Sequence, residues 1–152
     1  MPRVNRTGRS VGEPRHVRLY HWVMNTDAWR SLDAVARTIY IEMAARYCGP
    51  GSNNGRISYS VREAAKSLRI GKTTAGRALE RLQARGFIIP MKKGAFSLKI
   101  SHATEWRLTE FPCDLTHAPP SKEFMRWHAI ENSECGSFTD PHGTCRGTER
   151  HL

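Results

Sequence analysis

Apolar residues recur along this chain in two rhythms, and the changes of rhythm mark its elements. Leu32, Val35, Ala36, Ile39, Tyr40, Met43 and Tyr47 fall at i, i+3, i+4 and i+7 spacing, one stripe of an α-helix that reads as a core face despite its aromatics. The spacing predicts a helix over 33–48 with Asp33 as N-cap, ended by Cys48-Gly49-Pro50-Gly51 with Gly as cap and Pro as stop. Ahead of it, residues 17–24 (VRLYHWVM) are apolar enough to pack on the domain as a short extended or helical lead-in. After it come a turn-rich loop, GPGSNNG over 49–55, and then Arg56-Ile57-Ser58-Tyr59, which alternates like a short strand.

Residues 60–85 return to helical spacing twice. Ser60-Val61-Arg62-Glu63 is a capping box, in which the Ser60 hydroxyl accepts from the backbone N–H three residues on and Glu63 reaches back. The helix it opens runs to about Leu68, with Val61, Ala64, Ala65 and Leu68 on one face. Arg69-Ile70-Gly71 makes a tight turn. A second helix is expected over 72–85, with Ala75, Ala78, Leu79 and Leu82 as its inner face, and Gly86 follows its end, where a left-handed conformation costs little. The rhythm then shortens to two. Residues 87–92 read as a strand, at a sheet edge where Pro90 donates no hydrogen bond. Lys93-Gly94 opens a loop or hairpin tip, and residues 105–109 alternate with Trp106 and Leu108 inward.

The order is helix, short strand, helix, turn, helix and two-stranded hairpin. It predicts a mainly α architecture with a small β-hairpin, an α+β domain over 18–111. Residues 1–17 are rich in Arg, Gly, Pro and polar residues and read as a flexible basic arm. Residues 112–152 have scattered aromatics and no sustained period. They read as a C-terminal tail in which 122–130 allow a short helix, with Phe124, Trp127 and His128 on one side, and disorder is expected beyond Glu131.

Charge adds a partner to this picture. The formal net charge is +10 and the isoelectric point about 10.0, which favours a polyanion: DNA, RNA or an acidic membrane surface. Residues 60–111 hold eleven basic against four acidic groups, and residues 1–18 hold five Arg against one Glu, whereas residues 112–152 hold four basic against six acidic. The charge therefore sits in the arm and in the central segment, and the tail does not share it. No run of 18 apolar residues is present to span a membrane, and the N-terminus lacks a secretory apolar core, so a cytoplasmic, nucleoid-associated location is expected.

Two short helices joined by a turn containing Gly form a helix-turn-helix pattern, and the chemistry of the second helix suits a major groove. Lys72, Thr73, Thr74, Gly76, Arg77 and Arg81 lie largely off its inner stripe. Arg donates two bonds to guanine, Thr offers a hydroxyl and a methyl, and Lys neutralises phosphate. Gly76 removes a side chain where the backbone would approach closely, at roughly 1 kcal/mol of helix propensity.

The stretch SVREAAKSLRIGKTTAGRALERLQARGFI, with its capped helix, Ala-Ala pair, Thr-rich second helix, Leu-x-x-Leu face and Gly-Phe-Ile exit, resembles the winged helix-turn-helix proteins of bacteria, of the MarR and GntR type. Over residues 17–127, through SNNGRISYS and HATEWRLTEF, the chain resembles small helix-turn-helix proteins of prophages and plasmids and replication initiators. The resemblance implies a DNA-binding domain with a recognition helix at 72–85 and a wing whose cations, Lys92, Lys93 and Lys99 with His102 nearby, lie along a phosphate backbone or in a minor groove. A solvated, charged hairpin that merely avoids aggregation is the plain alternative. In the arm, Arg3, Arg6, Arg9, Arg15 and Arg18 suit a narrow minor groove or serve equally as a solubilising tail. Trp22, Trp29 and Trp106 read as core rather than as base-stacking platforms.

Other chemistries find less support. Cys113-x3-His117 and His128, Cys135, His142 and Cys145 offer zinc-type ligands, but their spacing matches no zinc knuckle, so neither metal nor cofactor is expected. Ile70-Gly71-Lys72-Thr73 ends like a phosphate-binding loop, yet Lys66 occupies the position of its first Gly. No catalytic motif is present, and an enzyme is not expected. The expectation is a sequence-specific double-stranded DNA-binding protein, acting as a transcription regulator. The alternatives are a plasmid or prophage replication initiator at origin repeats and a winged-helix protein-interaction module. A homodimer stays open, because the stripe on 33–48 serves equally as an interface or as the domain's own core.

Overall fold

A computed structural model describes residues 15–94, 96–97, 100–101 and 103–129. Its elements are helices α1 (His21–Met24), α2 (Asp27–Arg30), α3 (Ala34–Arg46), α4 (Val61–Leu68) and α5 (Lys72–Ala84), and strands β1 (Ile57–Ser58), β2 (Ile88–Lys92), β3 (Phe96–Ser97), β4 (Ile100–Ser101) and β5 (Glu105–Leu108), with a 3-10 turn at Glu123–Met125. The chain is thus α+β, as expected. No helix among the described residues is long and apolar enough to cross a membrane.

The caps read from the sequence begin these helices. Asp33 accepts from the Ala36 N–H at 2.8 Å, and Ser60 accepts from the Glu63 N–H at 3.2 Å. The Glu63 carboxylate goes mainly to Arg46, at 2.6 Å, which ties the start of α4 to the end of α3. The unforeseen α2 is capped by Thr26, whose hydroxyl accepts from the Trp29 N–H and donates to the Val23 carbonyl. One helix end differs from expectation. α3 stops at Arg46 and Tyr47 is extended, before Gly49 is reached, because the Asn53 amide donates to the Arg46 carbonyl at 2.8 Å and accepts from the Cys48 N–H at 2.9 Å.

A three-stranded antiparallel sheet, in the order β1-β5-β2, closes the domain, where only a two-stranded hairpin was expected. β1 joins through Ile57 opposite Trp106 and Ser58 opposite Glu105. β2 is an edge strand, as its Pro90 requires, and a bulge separates Pro90 from Lys92 in the pairing with β5. β3 and β4, which lie between β2 and β5 in chain order, pair with each other as a separate two-stranded sheet. Trp106 and Leu108 point inward, and the Trp106 indole N–H donates to the Tyr59 carbonyl at 2.9 Å.

The core unites Ala36, Ile39, Tyr40 and Met43 of α3, Ala64 and Ala65 of α4, and Ala75, Ala78, Leu79 and Leu82 of α5. Trp29, Tyr40 and Phe87 meet edge to face at 5.3–5.7 Å between ring centroids, a geometry that aromatic quadrupoles favour. Trp29 and Trp106 are core residues as expected. Trp22 is not: it is 38% exposed, stacked between Tyr20 and Phe124, with the Lys122 ammonium 4.8 Å from its ring centroid.

Residues 112–128, read as part of a tail, pack onto the domain. Phe124 is fully buried and stacks on Phe87 at 4.6 Å with the rings 4° from parallel. The Lys122 N–H donates to the Thr109 carbonyl, and the Asp114 N–H to the Asn54 carbonyl. Burying a Phe side chain contributes about 1.5–3 kcal/mol, so Phe124 is a substantial anchor. The helix expected over 122–130 is reduced to the 3-10 turn at Glu123–Met125. Of its expected face, Phe124 is buried, Trp127 half-buried and His128 exposed. The expectation of disorder beyond Glu131 falls outside the described residues.

Candidate nucleic-acid interface

α5 is held by one face only. Ala75, Ala78, Leu79 and Leu82 are buried, while Lys72, Thr73, Thr74, Arg77, Glu80 and Arg81 are exposed. At about 100° per residue, Thr73, Arg77, Glu80 and Ala84 form the outermost row, and Gly76 and Arg81 lie on opposite flanks. Gly76 is half-buried on the flank toward α4, where an added Cβ would meet Val61 Cγ1 at 4.0 Å.

The cations of α5 divide along its length. Arg81 forms an ion pair with Asp33, the cap of α3. Arg85 donates to the Ser31 hydroxyl at 2.6 Å and lies over the Trp127 ring at 5.1 Å. The C-terminal half of α5 is thereby fastened to the loop before α3 and to residues 112–128. In the N-terminal half, Lys72, Thr73, Thr74 and Arg77 have no side-chain hydrogen bond or ion pair among the described residues. Gly71 caps α5 without a side-chain bond, and no acidic residue occupies its first turn. The N–H groups of that turn and the positive end of the helix dipole therefore face an exposed lysine and two threonines, a setting that favours an anion.

The turn between the helices is built by a left-handed residue. Arg69 has φ of 53°, and the Ile70 N–H closes the end of α4 by donating to the Ala65 carbonyl at 3.0 Å. α4 carries a second cationic row that was not singled out from the sequence: Arg62, Lys66 and Arg69 are all exposed. Their i, i+4, i+7 spacing was the available signal.

The remaining expected contacts are more scattered. Lys92 and Lys93 are exposed at the end of β2, with Lys92 in register with Glu105. The Arg15 guanidinium donates to the Ala45 carbonyl at 2.7 Å, at the end of α3 where the helix dipole favours a cation. Arg18 is exposed and donates to His16 at 3.2 Å. Arg3, Arg6, Arg9, Lys99 and His102 lie outside the described residues.

Among the described residues no group of three or more His, Cys, Asp or Glu side chains could hold a metal ion. Cys113 is buried with its thiol 3.7 Å from the Asn54 carbonyl, and His128 faces Asp27 at 3.5 Å. Cys135, His142 and Cys145 lie outside the described residues. Compared with family models, with curated proteins and with solved structures, the chain matches none.

Proposed function

We propose that this chain binds double-stranded DNA in a sequence-specific manner through a winged helix-turn-helix, with the N-terminal half of α5 in the major groove, and that it regulates transcription. The observation that carries this reading is the division of α5: its C-terminal cations are spent on the domain itself, while Lys72, Thr73, Thr74 and Arg77 stand exposed and uncommitted at its start. Two helices joined by a three-residue turn, followed by an antiparallel hairpin, support the fold reading. The α4 row of Arg62, Lys66 and Arg69 supplies cations for phosphates beside the groove, and Lys92 and Lys93 do the same on the hairpin.

Selection of bound duplexes from a random pool at physiological salt tests the proposal. Enrichment of a defined motif is expected, and Arg77→Ala should then cost about 1–3 kcal/mol at that motif alone. Absence of any enrichment would overturn the reading.

A further inference from the structure

Glu80 stands where a DNA-binding helix would be expected to avoid a carboxylate. It is exposed on the outermost row of α5, between Arg77 and Ala84, and has no ion pair or hydrogen bond from its side chain among the described residues. The other acidic groups near the two helices are committed: Glu63 to Arg46 and Asp33 to Arg81. Placed against a groove, an unpaired carboxylate is repelled by phosphates and by every base edge that shows acceptors. Guanine shows N7 and O6 there, thymine O4, and adenine N7 beside its amine. Cytosine alone offers only a donor, its N4 amine.

We infer that Glu80 is a specificity-determining residue, accepting a hydrogen bond from cytosine N4 next to the base that Arg77 reads. The inference rests on the DNA-binding proposal above. Three residues of α-helix advance about 4.5 Å, and one base pair advances about 3.4 Å, so the two readings fall one or two base pairs apart. The carboxylate acts by exclusion as much as by attraction, because guanine and thymine face it with acceptors alone and adenine sets its N7 acceptor beside the amine.

The test compares the full chain with Glu80→Ala and Glu80→Gln in the same random-duplex selection, with thermal melts to establish that both variants fold. The wild type should enrich cytosine one or two base pairs from the position whose preference is lost in Arg77→Ala. Both Glu80 variants should keep the rest of the motif, lose the cytosine preference by about ten-fold, and bind unselected duplex at least as tightly as the wild type. A wild-type motif that both variants reproduce in full would overturn the assignment of Glu80 while leaving DNA binding intact, as would an equal change in affinity for all duplexes. Failure of the wild type to enrich any sequence would overturn the DNA-binding proposal and this inference with it.

Discussion

Gly86 and Glu123 approach so closely that a Cβ on residue 86 would lie 2.7 Å from the Glu123 Cβ, and 2.9 Å from the Phe124 nitrogen. Gly86 also has φ of 75°, and the Phe87 N–H beyond it closes the end of α5 on the Leu82 carbonyl. Two separate demands therefore meet at one residue. Gly86→Ala should lose roughly 1–2 kcal/mol to the left-handed backbone alone, and more to the overlap, because the opposing atoms are a short stem and backbone that cannot retreat without unseating Phe124. Urea denaturation should show a total loss of about 3 kcal/mol. A loss of only about 1–2 kcal/mol, the backbone cost alone, would mean that residues 123–124 do not rest on the end of α5.

Arg69 closes α4 with the same backbone geometry but without the steric demand. It is exposed, and its left-handed φ of 53° is a cost that glycine does not incur. Arg69→Gly should raise stability by about 0.5–1 kcal/mol, the relief of strain being partly offset by the freer unfolded chain. The same variant removes a cation from the exposed row on α4, so under the DNA-binding proposal affinity for duplex should fall uniformly across sequences and lose about one unit of salt slope. Denaturation and salt titration check the two effects separately. A variant that is less stable than the wild type would refute the strain assignment.

These contrasts show what was legible in the sequence. The inner face of α5 could be read to the residue, since a 3.6-residue period with a Gly stop has few other meanings. The caps at Asp33 and Ser60 and the edge position of Pro90 were equally local. What escaped was non-local. The pairing of Arg81 with Asp33 spans 48 residues, and nothing in the phase of α5 distinguishes a cation spent on the domain from one left exposed. Residues 112–128 carry no period because they are held by irregular contacts, Phe124 on Phe87 and backbone bonds to Asn54 and Thr109. Trp22 sits in an apolar run, yet that run turns at α1 and leaves the side chain at the surface, 38% exposed.

Asn54 is the hub of those irregular contacts. Its side chain is fully buried, accepts from the Leu108 N–H at 2.8 Å and donates to the Leu108 carbonyl at 2.9 Å, completing β5 as a neighbouring strand would. The same amide nitrogen lies within 2.8–3.1 Å of the Phe111 and Pro112 carbonyls. Asn54→Ala leaves those backbone groups unpaired, each at about 1–3 kcal/mol, so the predicted loss is about 3 kcal/mol or more. Asn54→Asp keeps the acceptor and removes the donor. It should also destabilise, by placing a carboxylate against carbonyl oxygens. Equal stability of Asn54→Ala and the wild type in thermal melts would rule out this role.

Glu110 makes stability depend on pH in a direction opposite to that of an ordinary paired carboxylate. Its Oε2 accepts from the Tyr40 hydroxyl at 2.5 Å, and its Oε1 is buried without a partner among the described residues. Burial raises its pKa above the usual 4.5, against the lowering effects of the Tyr40 bond and of Lys122. The folded state therefore keeps this proton to higher pH than the unfolded chain does. The contribution is full below pH 4.5 and is lost as pH rises through the elevated value. Glu110→Gln retains an acceptor for Tyr40 and does not titrate. Its stability relative to the wild type should increase from pH 4 toward neutrality, as read by denaturation at fixed salt. A constant difference across that range would show that Glu110 is not shifted.

Gly76 separates the needs of the fold from those of the proposed interface. It lies in the interior of a helix, where glycine costs about 1 kcal/mol relative to alanine. The domain offers no steric reason for that cost, since a Cβ there would make an ordinary 4.0 Å contact with Val61. Gly76→Ala should therefore stabilise the protein by about 0.5–1 kcal/mol. If the missing side chain instead serves a close approach by a ligand, the same methyl should weaken binding to the selected duplex while the melting temperature rises. That opposition is the expected result, because a substitution acting only through the fold would move stability and affinity in the same direction or leave affinity alone. A stabilised variant with undiminished affinity would remove Gly76 from the interface and leave recognition to Thr73, Arg77 and their neighbours on the outward row.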